Sequence, residues 1–391
     1  MQPGGKIECK NSEIAVARYQ SEEHVKVSCI TRHAISNYGS LLQAYATQRA
    51  VESLGHEFEI MDYVPACEDV SQQVRTLLST KPSWNGNPLK KSVYRLLMEP
   101  ETRVAGKRFA RERSQLLKMS PHYASLEELK ANPPKADVYM TGSDQVWGPI
   151  SSGAYDLSYA LEFAPEGARR ISYAASFGKK NIPDSVRPRF LEDLRAYEAV
   201  FVREDAAREQ LASWGIEAGQ VVDPTLLLDG EAWRRMAAPA PKGEYILVYQ
   251  IHSDPTVGQY AVKVAKKLGL PLIRISASLH QASREGKFKW LPTLAEFLSY
   301  VDNAACLVTD SFHGTAFAIN LNTPLVEVLP KNGTSSRNVS ILRLTDLTDR
   351  VLQNLDDVEL ASKQIDFGRV NDVMGAEREK SLAQLKSMIE E

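Results

Sequence analysis

Apolar runs and helically spaced apolar positions alternate along most of the chain. Residues 24–30 alternate apolar and polar side chains as a strand does, and residues 37–54 repeat apolar positions at helical spacing until Gly55. Short connections between such segments are typical of a mostly parallel sheet covered on both faces. Further strands are predicted at 58–63, 137–141, 170–175, 199–203 and 220–222, with a helix at 205–214.

The same alternation resumes after a linker rich in proline and alanine at 237–243. The run 245–251 is apolar enough for a buried strand, and the helix predicted at 257–268 ends at Gly269. A second sheet is therefore predicted. Its other strands are expected at 272–275, 304–308 and 325–329, with helices at 294–301 and 315–321.

These patterns predict an α/β fold with two Rossmann-like, doubly wound domains that face a cleft, which is where such folds bind ligands. The domains are assigned to 24–236, with a helical insertion at about 64–135, and to 244–375. Residues 1–23 are expected to form a tail or extension. Residues 376–391 are expected to form an amphipathic helix that crosses back to the first domain.

Composition narrows the class of protein. The 47 basic and 49 acidic residues give a net charge of -2, which argues against a protein held on nucleic acid by a general positive field. The cysteines Cys9, Cys29, Cys67 and Cys306 form no C-x-x-C pair, so no metal site is expected. Neither a membrane span nor a signal peptide is recognisable in the sequence, and we expect a cytoplasmic protein.

The most informative segment is T-D-S-F-H-G at 309–314, between a predicted strand and a predicted helix. Free backbone N–H groups at the start of that helix favour an anion. His313 stands there with Ser311, Gly314 and Thr315, so the loop is a candidate phosphate site beside a group that titrates near neutrality. The structural alternative is a histidine that caps its own helix, with Gly314 allowing close packing.

Two polar loops at predicted strand ends are expected to reach the cleft. The first, at 32–39, is long for a connector, and the second, at 141–147, has the polar and aromatic residues that a sugar site uses. The alternative is structural, with a turn in the first loop and a core tryptophan in the second. The candidate cleft contacts are Arg32, His33, Asn37, Tyr38, Gly39, Ser143, Asp144, Gln145 and Trp147.

Three further segments supply the remaining candidates. Ser176 lies in a run of small residues at a strand end, where a ligand can approach closely. Arg203 ends a predicted strand, where an unpaired guanidinium is costly to bury. It is expected to bind a carboxylate or phosphate of a ligand, or else to form a salt bridge with Glu204, Asp205 or Asp223. The segment 331–343 is predicted to be a flexible loop from which Arg337 or Lys331 can swing onto a phosphate, with a solvated surface loop as the alternative.

Taken in order, these motifs resemble the polysaccharide pyruvyl transferase family. Each motif alone is a weak signal, but seven in the same order between about residues 24 and 350 make the resemblance specific. They are R-H-A-I-S-N-Y-G-S-L-L-Q-A-Y at 32–45, D-Y-V-P at 62–65, G-S-D-Q-V-W at 142–147, S-Y-A-A-S-F-G at 172–178, V-R-E-D at 202–205, D-P-T-L-L-L at 223–228 and D-S-F-H-G-T-A-F-A-I at 310–319.

The resemblance implies a GT-B-like fold and transfer of a pyruvyl group from phosphoenolpyruvate to two hydroxyls of a sugar, which forms a cyclic ketal. It implies His313 as the general acid/base and Arg203 as a ligand of the donor, with no metal and no cofactor. The expected partners are phosphoenolpyruvate and a sugar or lipid-linked oligosaccharide acceptor, and no nucleic acid. No oligomeric state is predicted.

One position departs from the family pattern. Many members carry R-L-H-G, with the arginine on the donor, where this chain has S-F-H-G, so Ser311 replaces that arginine and Arg337 is our candidate substitute. Two alternatives stay open: a GT-B-type glycosyltransferase that uses a nucleotide sugar, and a non-catalytic carbohydrate-binding protein. A lipid-linked acceptor would bring the enzyme to the inner face of the membrane, where the basic helix predicted at 103–117 is a candidate for peripheral contact. A simple solvated face is the alternative for that helix.

Overall fold

The computed structural model describes residues 24–80, 87–178, 182–331 and 333–391, and the predicted tail at 1–23 lies outside them. Within this part the chain forms two parallel sheets. The strands of the first sheet are β1 (Lys26–Ile30), β2 (Glu57–Tyr63), β3 (Met119–Tyr123), β4 (Val138–Thr141), β5 (Arg169–Ala175), β6 (Ala199–Val202) and β7 (Gly219–Gln220). Their order is β3-β2-β1-β4-β5-β6-β7, so the winding direction reverses between β1 and β4.

The second sheet repeats this arrangement with fewer strands. They are β8 (Ile246–Tyr249), β9 (Leu272–Ser276), β10 (Lys287–Trp290), β11 (Cys306–Thr309) and β12 (Leu325–Glu327). In the described part of the chain their order is β10-β9-β8-β11-β12, and the direction reverses between β8 and β11. Each sheet therefore has a topological switch point, where doubly wound folds bind ligands.

Helices connect the strands in both halves. The first begins at the cap residue Asn37, whose side-chain oxygen accepts from the backbone N–H groups of Gly39 and Ser40. The helices of the N-terminal half are α1 (Tyr38–Ser53), α2 (Gln73–Thr80), α3 (Pro88–Leu116), α4 (Leu126–Ala131), α5 (Arg187–Leu194), α6 (Asp205–Ser213) and α7 (Gly230–Met236). Those that follow are α8 (Pro255–Leu268), α9 (Leu294–Asp302), α10 (Phe312–Leu321), α11 (Ser336–Leu344) and α12 (Phe367–Glu390).

The two halves share one apolar core. Tyr38 of α1 stacks on Phe297 of α9 with ring centroids 4.7 Å apart, and its hydroxyl donates to the carbonyl of Pro292 at 2.9 Å. Helix α10 is buried along its whole length, because its sequence offers no polar face to solvent. The start of this helix is consequently held rigidly at the junction between the halves.

Helix α12 contacts both halves of the molecule. The Ser381 hydroxyl accepts from the backbone N–H of Val222 at 3.1 Å, and Arg169 donates to the carbonyls of Met388 and Ile389 at 3.1 and 2.8 Å. The side chain of Val370 packs in the shared core. This helix begins at Phe367 and is therefore longer than the segment predicted from the sequence.

Several local predictions were wrong. The segment 331–343, predicted as a flexible loop, is helical from Ser336 onward in α11, because Ile341 and Leu342 pack into the core. Strands β3 and β10 were not predicted, and both are edge strands. Edge strands tolerate polar residues and proline, such as Pro121 in β3, so their sequences lack the apolar periodicity of a buried strand.

In the described part of the chain, every helix is too short or too polar to cross a membrane.

Candidate active site

Both switch points open onto one cavity of about 230 Å³. The carboxyl ends of the parallel strands in each half point toward it, so loops that are distant in sequence meet there. The N-terminal half contributes Arg32, Ile35, Asn37, Ser40, Asp144 and Gln145. The C-terminal half contributes Ile251, His252, Ser311, Phe312, His313 and Arg337.

His313 lies in the first turn of α10 and is 4% exposed. Its Nε2 atom lies 3.8 Å from Asp223 Oδ2 and has no hydrogen-bond partner among the described residues. Gly39 lies so close to the imidazole that a Cβ atom there would come within 2.1 Å of the ring. Burial lowers the pKa of His313, and Asp223 and Asp144 offset part of that decrease. The ring is therefore neutral at pH 7 and able to take up a proton beside two carboxylates.

Asp223 is held in place by an arginine and two hydroxyl groups. Arg203 Nη1 donates to Asp223 Oδ2 at 2.6 Å, and Ser143 Oγ donates to the same oxygen at 3.1 Å. The hydroxyl of Thr225 donates to Oδ1 at 2.7 Å. Burial alone would raise the pKa of Asp223, but Arg203 and these hydrogen bonds bring it below its usual value. Asp223 thus faces His313 as a carboxylate.

Asp144 is the second carboxylate of the site. Its Oδ2 accepts from the Ser40 hydroxyl at 2.7 Å, and its Oδ1 lies 3.5 Å from Arg203 Nη2 and 4.0 Å from Arg337 Nη1. Burial opposes ionisation, but His313 and the two arginines outweigh it and hold the pKa of Asp144 well below its usual range. The backbone of Asp144 has φ 68°, a left-handed conformation that aspartate adopts more readily than most residues.

Arg337 is buried against the cavity and lacks a close carboxylate partner. The side-chain carbonyl of Gln145, in the amide orientation that satisfies its hydrogen bonds, accepts from both Nη atoms at 2.9 Å. The guanidinium carbon lies 5.8 Å from the centre of the Phe312 ring, and Nε has no hydrogen-bond partner among the described residues. Burial and the neighbouring Arg203 lower the pKa of Arg337 to about 10, so it stays charged at pH 7.

The start of α10 adds backbone donors. The Ser311 hydroxyl caps the helix by accepting from the backbone N–H of Gly314 at 3.2 Å. The Thr315 hydroxyl lies within hydrogen-bond distance of the Ser311 carbonyl, at 3.1 Å, and of Glu327 Oε2. N–H groups of the first helical turn have no partner within the helix, and here they favour an anion in the cavity.

The structure brings together about half of the sequence-predicted site residues. Gly39, Ser143, Gly314 and Thr315 lie just behind the cavity wall, where they support His313, Asp223 and the helix start. Those that line the cavity are Arg32, Asn37, Asp144, Gln145, Ser311, His313 and Arg337.

Three predicted cleft contacts belong instead to the core. His33 is buried beside Asp62, and burial lowers its pKa to about 3. Tyr38 forms the stacking contact between the two halves. Trp147 packs against Phe177 at a centroid distance of 5.4 Å. The physical reason is that neutral rings gain more from burial than from a polar cavity.

Ser176 and Arg203 also lie away from this cavity. Ser176 donates to Glu204 Oε1 at 2.7 Å, and burial raises the pKa of that carboxyl. Arg203 pairs with Asp223, one of the three carboxylates given as its alternative partners, and its guanidinium lies 4.3 Å from the centre of the Phe312 ring.

Sequence reasoning missed Asp223 and five of the residues that line the cavity, which are Ile35, Ser40, Ile251, His252 and Phe312. Asp223 comes soon after β7, and His252 comes soon after β8, at the switch point of the second sheet. His252 donates its backbone N–H to Asp310 Oδ2 at 3.1 Å. Phe312 lines the cavity, and the centre of its ring lies 4.3 Å from the guanidinium carbon of Arg203. Asp223 and His252 could have been identified from their positions in the sequence, because both are polar residues that closely follow predicted strands.

A second cavity of about 460 Å³ lies on the other side of Phe312 and Arg337, which line both cavities. It is bounded by α6, α11 and α12, and Arg203 opens onto it. Arg208, Arg343 and Lys380 also line this second cavity. Two ligands bound in the two cavities would be separated by the side chains of Phe312 and Arg337.

Comparison with known proteins adds to this geometry. A family model described as polysaccharide pyruvyl transferase matches residues 37–329. No curated protein sequence matches the chain. Among solved structures, a putative UDP-N-acetylglucosamine 2-epimerase from Listeria monocytogenes is similar with a TM-score of 0.52 and 14% identity, over 93% of this chain and 96% of that chain. This likeness shows a GT-B-type fold.

Two further solved structures are similar at lower TM-scores. The UDP-N-acetylglucosamine 2-epimerase from Rickettsia bellii has a TM-score of 0.48 and 13% identity, over 93% of this chain and 96% of that chain. The UDP-GlcNAc 2-epimerase from Neisseria meningitidis, bound to UDP-GlcNAc, has a TM-score of 0.48 and 12% identity, over 91% and 94%.

Proposed function

The chain belongs to the polysaccharide pyruvyl transferase family, and on that premise we propose that it transfers a pyruvyl group from phosphoenolpyruvate to two hydroxyls of a sugar. The acceptor is a sugar of a polysaccharide or of its lipid-linked precursor, and the products are a cyclic pyruvate ketal and phosphate. The observation that carries the proposal is buried His313, which faces Asp223 and lines a cavity with Arg337.

His313 relays a proton in this proposal. The neutral ring takes the proton of the attacking sugar hydroxyl, and the imidazolium so formed gives a proton to the methylene carbon of phosphoenolpyruvate. That carbon becomes a methyl group, and the hydroxyl oxygen bonds to the adjacent carbon. Phosphate then leaves with the electrons of its C–O bond. The second hydroxyl closes the ring, and its proton balances the phosphate. A positioned acid/base of this kind contributes roughly 100- to 10,000-fold in rate.

The two carboxylates suit this proton transfer. Asp223 Oδ2 lies 3.8 Å from His313 Nε2, and Asp144 also favours the charged ring. Both carboxylates are ionised before substrate binds, because arginine and hydroxyl donors hold them. They stabilise the imidazolium that forms when His313 takes a hydroxyl proton, and they need no rearrangement to do so.

Arg337 is the proposed anchor of the donor. Phosphoenolpyruvate carries a phosphate and a carboxylate, and Arg337 is charged, lines the cavity and lies 4.0 Å from its nearest carboxylate. Arg32 lines the same cavity but is bonded to Glu68. Arg337 therefore takes the role of the arginine that Ser311 replaces, with the N-terminus of α10 as a second anion contact.

The polar groups opposite His313 are the proposed contacts of the acceptor. Asn37 and Gln145 line the cavity from the N-terminal half, and their amides suit sugar hydroxyls.

Because the proposed donor is a metabolite of the cytoplasm, we propose a cytoplasmic location, at the inner face of the membrane when the acceptor is lipid-linked.

Ligand-dependent melting tests this proposal. A ligand at about 100 times its dissociation constant adds roughly 2.7 kcal/mol of stability, which is a shift of several degrees in Tm. We expect this shift with phosphoenolpyruvate, and we expect Arg337→Gln to abolish it. Arg343→Gln is the matched control, since Arg343 lies on the same helix but is exposed and does not line this cavity. No shift with phosphoenolpyruvate would reject the donor.

A nucleotide-sugar glycosyltransferase is the second candidate, and Ser311 is the observation that favours it. Without an arginine at that position, the start of α10 resembles a neutral cradle for a diphosphate. A shift in Tm with a UDP-, GDP- or CMP-sugar alone would favour this candidate.

Binding of sugar with no turnover of either donor would favour a non-catalytic carbohydrate-binding protein.

A further inference from the structure

Exposed apolar side chains run along the outer face of α3. Among the described residues nine large apolar side chains are exposed, and five of them lie on this one helix. Their exposed fractions range from 46% to 76%. These five, which we call the apolar stripe, are Leu89, Val93, Leu96, Leu97 and Val104.

The spacing of the apolar stripe places it on one face of the helix. With 3.6 residues per turn, the five side chains fall within an arc of about 100°. Other faces of the helix are anchored to both halves of the protein. Phe109, on the opposite face, packs 5.2 Å from Tyr38, and Glu101, beside the stripe, accepts from Ser278 Oγ and the backbone N–H of Leu279, both at 2.6 Å. The apolar stripe therefore points away from the molecule. Single exposed leucines need no explanation, but a contiguous stripe marks an interaction surface.

Basic residues continue the same face toward the end of the helix. Arg103, Lys107 and Arg111 follow each other at four-residue spacing, and all three are exposed. We call them the basic row. Helix α3 carries eight basic and three acidic residues, a net charge of +5 in a chain whose net charge is -2. The positive charge is thus concentrated beside the exposed apolar side chains.

We propose that the apolar stripe and the basic row bind the surface of an anionic lipid bilayer, with α3 lying in the plane of the interface. The apolar side chains enter the boundary between headgroups and acyl chains, and the basic row contacts the anionic headgroups. A second copy of this chain fits less well, because it would bring two helices of charge +5 together without compensation. The inference does not depend on the proposed reaction.

Co-sedimentation of the full chain with vesicles tests the inference. The vesicles are phosphatidylcholine alone, or phosphatidylcholine mixed with phosphatidylglycerol, and contain no acceptor sugar. We expect binding only to the anionic vesicles, weakened by salt. Combined Leu89→Ser, Leu96→Ser and Leu97→Ser changes, or combined Arg103→Gln, Lys107→Gln and Arg111→Gln changes, should each lower the partition coefficient at least about ten-fold.

Matched controls come from other exposed positions. Leu268→Ser removes an exposed leucine on α8, and Lys266→Gln with Lys267→Gln removes exposed charge from the same helix. Neither control should change the partition coefficient, and all variants should keep the melting temperature of the parent. Failure of the parent chain to bind anionic vesicles would overturn the inference, as would equal losses in variants and controls. A dimer in solution that the leucine changes convert to a monomer would identify a second copy as the occupant and also overturn it.

Discussion

The carboxyl ends of the two sheets bring different chemistry to the cavity. On the N-terminal side, arginines are closely paired with carboxylates: Arg203 donates to Asp223 at 2.6 Å, and Arg32 bonds to Glu68. On the C-terminal side, Arg337 lies 4.0 Å from its nearest carboxylate, and His313 Nε2 has no hydrogen-bond partner among the described residues. Arg203 and Arg32 thus have close carboxylate partners before any ligand arrives, whereas Arg337 does not.

This difference distinguishes the residues that hold the site in shape from the residues whose contacts change when a ligand binds. Closely paired buried charges are costly to disturb, since removal of one partner leaves the other uncompensated. A histidine and an arginine without close partners can gain contacts when an anion binds. We therefore expect changes on the N-terminal side to lower stability, and changes on the C-terminal side to lower turnover or ligand affinity.

The largest expected effect is on turnover in His313→Ala. Loss of the acid/base should reduce phosphate release from phosphoenolpyruvate by at least about 100-fold, and by up to about 10,000-fold. His33→Asn is the matched control, because His33 is also buried but lies in the core of the N-terminal half. That control should lower the melting temperature and leave turnover within a few-fold of the parent. Turnover close to that of the parent in His313→Ala would remove His313 from the mechanism.

The next effect is on stability in Arg203→Met. The change keeps most of the apolar stem but leaves Asp223 buried beside Asp144 without its partner, which should cost about 3–5 kcal/mol in the free energy of unfolding. Arg337→Met should cost clearly less, because no carboxylate is in contact with Arg337. Urea unfolding of the two variants measures the difference. A stable Arg203→Met variant with weakened donor binding would show that Arg203 is a ligand of the donor after all.

The same comparison explains what could be predicted from the sequence. The strands that end at the switch points are apolar and buried, so their periodicity was visible, as was the loop that carries Ser311 and His313. The edge strands β3 and β10 were missed, because an edge strand need not be apolar. Helix α11 was missed because the segment before it is rich in glycine and serine.

The directions of side chains were harder to predict than their positions. Trp147 and Tyr38 stand in loops at strand ends, where an aromatic ring serves equally well in a sugar site or a core, and only packing decides between them. The role of Arg203 depended on Asp223, which is 20 residues away in sequence. No local pattern reports a contact of that kind.

The smallest effect concerns a carboxyl on the C-terminal side that has no cation beside it. Glu327 ends β12, is completely buried, and accepts from the side chains of Thr315 on α10 and Asn338, at 2.8 Å, on α11. It therefore joins the helices that carry His313 and Arg337. Burial raises the pKa of Glu327 to about 8, whereas the pKa values of Asp144 and Asp223 are held below their usual range.

These opposite shifts predict opposite dependences of stability on pH. Because the folded-state pKa of Glu327 exceeds its usual value of 4.5, its contribution is complete below pH 4.5 and is lost as pH rises through about 8. The contributions of Asp144 and Asp223 are complete above 3.8 and are lost as pH falls below it. Glu327→Gln keeps the shape and mimics the protonated group, so it should match the parent in Tm at about pH 5 and exceed it by several degrees at about pH 9. If the Tm values of parent and variant fall equally between pH 5 and pH 9, Glu327 is not protonated in the folded protein. Glu327, which joins α10 to α11, would then be a buried carboxylate stabilised by its hydrogen bonds alone.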